Sequence, residues 1–146
     1  MRPNQNFFNL SLLIEGFILI GVGVYFVFLR PPLLPEDFSY INTSATEINN
    51  SLPGLPIWLK KVFVVLGGYI ITTGLLICYI AITSGSKRSI GLFTMIFFAG
   101  LTSIGLMTVI NFIIDSDFKL ILLLFTIPWL ISLFAYFIPS KICTNK

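Results

Sequence analysis

The chain has 146 residues, 56% of them hydrophobic, 15% aromatic and 10% charged. A water-soluble surface normally takes about 25% charged residues, so this composition excludes a soluble globular domain and makes lipid the solvent. The net charge of +3 comes from nine Lys and Arg scattered singly or in pairs, which offers no basic stripe for nucleic acid. The absence of histidine removes the usual zinc and haem ligand and any His-based triad.

Residues 7–29 are apolar apart from Asn9, Ser11 and Glu15. At about 1.5 Å rise per residue they cover roughly 34 Å, enough for the ~30 Å hydrocarbon core. The run reads as a membrane span and not as a cleaved leader, because its exit, "VYFVFLRPP", has no small residues at a cleavage site.

The stretch that follows, "RPPLLPEDFSY", closes this span. Arg30 suits the headgroup level, and Pro31 and Pro32 forbid helix continuation. Pro35 suits a helix N1 position, with Glu36 and Asp37 at the positive end of that turn's dipole. "SATE" (Ser44 to Glu47) has capping-box spacing for a second short helix before Pro53-Gly54. Residues 30–61 are therefore expected to form an ordered outer loop, with Arg30, Glu36 and Asp37 as an outward polar site for a lipid headgroup or a partner.

Trp58, Lys60 and Lys61 mark an interface, so the second span is expected over 62–84. "SGSKRS" (Ser84 to Ser89) is a polar turn, and the third span is expected over 90–114. "DSDFK" (Asp115 to Lys119) leads to the fourth, 120–138, with Pro128 kinking it. The fold class is thus all-α: a polytopic four-transmembrane-helix bundle forming one domain over 1–146. Arg2, Lys87, Arg88, Lys141 and Lys146 outnumber the cations of the other side, which places both termini in the cytoplasm. Cys78 and Cys143 form no CxxC pair and read as free thiols. No cofactor or metal motif is visible.

Glu15 is the single acid inside a span. An ionised side chain at the bilayer centre costs ~2.5–3.5 kcal/mol on insertion scales, so such acids face a bundle interior and often carry protons or substrates. The alternative is a neutral, hydrogen-bonded structural carboxyl. Antiparallel counting sets Tyr79, Thr102 and Ser132 at similar depth as partners, and Asn111 as interhelical glue. Gly16 and Gly23 on the first span share a seven-residue interval with Gly67 and Gly74 on the second, a pattern suited to close helix approach.

Two resemblances attach to these residues. A glutamate early in the first of four spans resembles the small multidrug resistance transporters, where it exchanges protons for cationic drugs. The likeness is confined to Glu15 and the span count, and the long first loop departs from that pattern. "RPPLLPED" together with "PGLPIWLKKVFVVLGGY" (Pro53 to Tyr69) resembles a family of small four-span bacterial membrane proteins without an established activity. That resemblance implies a bacterial inner-membrane setting and a constrained loop, and transfers no catalytic residue.

The leading functional reading is a structural or accessory membrane protein, with membrane lipids and a protein partner or second copy as its contacts. A proton-coupled small-molecule transporter using Glu15 is one alternative. An interfacial lipid-binding protein or enzyme using Arg30, Glu36 and Asp37 is the other.

Overall fold

The computed structural model describes residues 3–83 and 89–137, and side chains from residue 6 onward. Of the expected turn Ser84 to Ser89 only Ser89 is described, capping the helix that follows. The tail carrying Cys143 lies outside the described residues, as do the cations used for orientation at positions 2, 87, 88, 141 and 146. Four helical stretches are long and apolar enough to cross a membrane: Asn6–Leu29, Leu55–Thr83, Ile90–Ile113 and Lys119–Phe137. The chain is a multi-pass integral membrane protein with an all-α architecture.

The first span is α1 (Pro3–Val24) ending in a π-helical turn, Tyr25–Leu29. That turn closes with the Arg30 N–H donating to the Tyr25 carbonyl at 2.8 Å. Arg30 itself is extended (φ −66°, ψ 122°), as the residue before a proline must be. Two short helices form the loop, α2 (Pro35–Tyr40) and α3 (Ala45–Ser51). Pro35 is the first residue of α2, and the Asp37 carboxylate accepts the Leu34 N–H at 2.9 Å, covering a donor that a helix start leaves open. Ser44 caps α3, its hydroxyl accepting from the Glu47 N–H at 3.2 Å. Between them Asn42 takes a left-handed conformation (φ 52°), one that Asn tolerates better than most residues.

The second span, α4, runs Leu55–Thr83 and so starts seven residues before the sequence-based estimate. Hydropathy stops at Lys60 and Lys61, but the helix does not: Pro56 preorganises its first turn, and both lysines are exposed on its second turn. The third span is α5 (Ile90–Gly100), a second π-helical turn (Leu101–Gly105) and α6 (Leu106–Ile113). Asp115, left-handed at φ 55°, turns the chain into the fourth span, made of α7 (Lys119–Phe125) and α8 (Ile127–Phe137). Pro128 has no N–H to give the preceding turn, and the helix is interrupted at Thr126.

The most extensive packing is α1 against α4, followed by α1 against α8; α5 packs on α8 and α6 on α7. The α1–α4 seam is held at backbone distance by glycine. A Cβ on Gly16 would stand 2.9 Å from the Gly74 carbonyl oxygen, and one on Gly74 would stand 2.7 Å from that of Gly16. Gly23 and Gly67 repeat the relationship one heptad along, at 2.8 and 2.7 Å. In lipid, where apolar burial does not drive association, this close approach lets dispersion and Cα–H···O contacts hold the two helices. Leu12, Leu19 and Ile104 are fully buried, with Ile77, Ile96 and Trp129 packed into the same core.

Candidate functional site

Two polar features are buried, at different depths. The first is Glu15, fully enclosed between spans. Neither of its carboxyl oxygens has a hydrogen-bond partner. The three hydroxyls expected to serve it do not reach it. Tyr79 projects outward and is 66% exposed. Thr102 donates to the Phe98 carbonyl at 2.8 Å and Ser132 to the Trp129 carbonyl at 2.7 Å, since hydroxyls within lipid readily bond the preceding turn of their own helix. Asn111, expected between helices, likewise donates to its own helix at the Met107 carbonyl, 2.9 Å away.

What faces Glu15 instead is backbone. The break at Thr126 removes the bond that a continuous helix would form between the Trp129 N–H and the Phe125 carbonyl, and that N–H is turned toward the Glu15 carboxyl without closing a hydrogen bond to it. The proline interruption therefore exposes a main-chain dipole to the acid of the first span. Trp129 also fixes the third span: its indole N–H donates to the Ile96 carbonyl at 3.1 Å, and its ring lies directly on Gly100, where any Cβ would overlap it.

The second feature is the corner at the first-loop end. The Arg30 guanidinium lies over the Phe63 ring, 3.6 Å from its centroid, and 5.1 Å from that of Phe26. Asp37 is its ion-pair partner at 3.8 Å, too far for a hydrogen bond. The guanidinium donors close no hydrogen bond among the described residues, and Nη1 is fully buried. Burial pushes the Arg30 pKa below its ordinary value, opposed by the charge of Asp37; a guanidinium stays charged regardless. Glu36 reaches across the bundle end, its Oε1 accepting from the buried Ser116 hydroxyl at 2.7 Å. Ser116 in turn accepts from the Phe118 N–H at 3.2 Å, so one hydroxyl ties the first loop to the connection between the third and fourth spans.

This corner is the polar end of a cavity of about 770 Å³, within the range of small-molecule sites. Arg30, Glu36 and Asp37 line it with Asn111 and Ser116, and its walls are apolar, reaching Ile18 and Gly21 on the first span, Ile70 on the second and Phe125 on the fourth. Thr102 and Ser103, on the second π-helical turn, also line it; such turns recur at functional sites. Glu15 is not among the lining residues.

The structure thus brings Arg30, Glu36, Asp37, Asn111 and Thr102 to one cavity and keeps Glu15, Ser132 and the glycine seam apart from it. Sequence reasoning missed Phe63, Gly21 and Ser116. Nothing in the local pattern marks Phe63 or Gly21, whereas Ser116 between Asp115 and Asp117 carries a turn signal. Among the described residues no group of acids and cysteines is placed to hold a metal ion. No protein-family model, curated protein or solved structure matches the chain.

Proposed function

We propose that the protein is a lipid-binding membrane protein that holds an amphiphile with its head at the Arg30 corner and its chain along the cavity. The observation carrying this reading is the shape of the cavity's lining. The charged groups gather at one end with Asn111 and Ser116, and walls extending from Arg30 to Ile18 are otherwise apolar, the deeper Thr102 and Ser103 hydroxyls being spent on carbonyls of their own helix. By helical rise that is roughly 18 Å, slightly more than one leaflet of a ~30 Å hydrocarbon core. A soluble metabolite has no use for a greasy slot of that depth, whereas one acyl chain matches it. We place the protein in the plasma (inner) membrane, following the family resemblance of its first loop, with both termini cytoplasmic, following the Lys and Arg distribution, so that the bound lipid belongs to the outer leaflet.

The transporter reading requires Glu15 on a water path; its position against the Trp129 backbone, away from the cavity, favours an interhelical role. Gly21 supplies the test of the lipid reading. A Cβ there meets nothing within 4 Å, so Gly21→Phe fills the cavity without disturbing the α1–α4 seam. The expected result is a fall of at least about tenfold in lipid retained through purification, at an unchanged melting temperature in detergent. Equal lipid retention by Gly21→Phe and wild type overturns the reading.

A further inference from the structure

Resting on the lipid-binding reading, we infer that the headgroup is zwitterionic, a phosphodiester against Arg30 carrying an ammonium that meets Glu36 and Asp37. The charged residues lining the cavity are one cation and two carboxylates, Arg30, Glu36 and Asp37, and among the described residues no other charged side chain joins them. The neighbouring Lys119 is paired with Asp115.

Each group has capacity left. The Arg30 guanidinium, held by two rings and a long ion pair, commits no donor to a hydrogen bond among the described residues. Nη1 is closed off by the protein, so a phosphate oxygen would be met by the remaining N–H groups, in a charge-assisted hydrogen bond. Glu36 uses Oε1 for Ser116, and Asp37 uses Oδ2 for the Leu34 N–H and Arg30. Their second oxygens, Oε2 and Oδ1, take no hydrogen bond among the described residues. An anionic headgroup would satisfy Arg30 and bring a further negative charge toward two carboxylates. A purely cationic one would satisfy the acids and oppose Arg30. A headgroup of both signs complements all three residues, and a primary ammonium has the N–H donors the free carboxylate oxygens accept.

The test uses the full chain, delipidated in detergent, with three probes of identical acyl chains: phosphatidylethanolamine, phosphatidylglycerol and diacylglycerol, read by native mass spectrometry. Phosphatidylethanolamine is expected to bind about tenfold tighter than phosphatidylglycerol, the difference expected of a charge-assisted hydrogen bond, with diacylglycerol weakest. Glu36→Gln keeps an acceptor for Ser116 and removes the charge. It should bring the two phospholipids to near parity, with a melting temperature in detergent close to wild type showing the variant to be folded. Arg30→Gln should weaken both phospholipids toward diacylglycerol. Phosphatidylglycerol binding as tightly as phosphatidylethanolamine, or tighter, to the wild type overturns the headgroup assignment and leaves the lipid reading standing. Diacylglycerol matching both has the same consequence. Binding of none of the three overturns the lipid reading itself.

Discussion

The guanidinium of Arg30 stands 3.6 Å from the centre of the Phe63 ring, joining the end of the first span to the start of the second. Cation–π contacts contribute ~0.5–1 kcal/mol when exposed and about 2 when desolvated, and this one is largely buried. Phe63→Leu keeps apolar bulk and removes the π face. It should lower stability by about 1–2 kcal/mol, read as a fall in melting temperature in detergent. Arg30→Lys should cost a similar amount, because an ammonium does not lie flat between two rings or present a fork to phosphate.

The glycine seam makes a sharper demand. Gly74→Ala places a methyl against the Gly16 carbonyl, and the two backbones must separate. Overpacking of this kind costs about 1–3 kcal/mol, and Gly67→Ala should behave alike. Gly68, whose Cβ position is open, is the control: Gly68→Ala should change stability by less than about 0.5 kcal/mol or raise it slightly, as helix propensity dictates.

Trp129 and Gly100 form a second interlock, here between the third and fourth spans. Trp129→Phe removes the bond to the Ile96 carbonyl and should cost about 1 kcal/mol. Gly100→Ala meets the ring itself and should displace the indole. With Trp58 replaced by Phe, the remaining Trp129 fluorescence should be blue-shifted in the otherwise wild-type chain and move to longer wavelength when Gly100→Ala is added.

Glu15 yields a prediction of opposite sign. A buried carboxyl without a full hydrogen bond costs stability, since transfer of an unpaired polar group into an apolar setting is unfavourable by about 1–3 kcal/mol on mutational scales. Glu15→Met, apolar and of similar length, should therefore raise the melting temperature. Glu15→Gln, which keeps an oxygen for the Trp129 N–H, should stay within about 1 kcal/mol of wild type. Neither should alter lipid binding, because Glu15 does not line the cavity.

The spans are legible in the sequence because lipid imposes a single rule: every backbone group must be satisfied within the segment, so a long apolar run has to be a helix. Local chemistry also marks the α2 start at Pro35, the Ser44 cap and the break near Pro128. The beginning of α4 is not legible from hydropathy, since a helix continues past lysines that lipid excludes. The cavity is less legible still. Arg30 announces itself beside two prolines, but Phe63 lies on another span and Ser116 is eighty positions from Glu36. Hydroxyl and amide partners inferred from depth alone go astray for a physical reason: Thr102, Asn111 and Ser132 each bond a carbonyl of the preceding turn, which counting along a helix does not reveal.

The central claim is that a lipid chain occupies the cavity and is not merely adjacent to the protein. Photo-crosslinking in liposomes with a lipid bearing a diazirine on its acyl chain, mapped by peptide mass spectrometry, tests it most directly. The account predicts adducts concentrated on cavity-lining residues such as Ile70, Met107 and Phe125, and their loss in Gly21→Phe. Adducts spread evenly over outward-facing positions such as Leu75, Tyr79 and Phe134, and unchanged by Gly21→Phe, would contradict it.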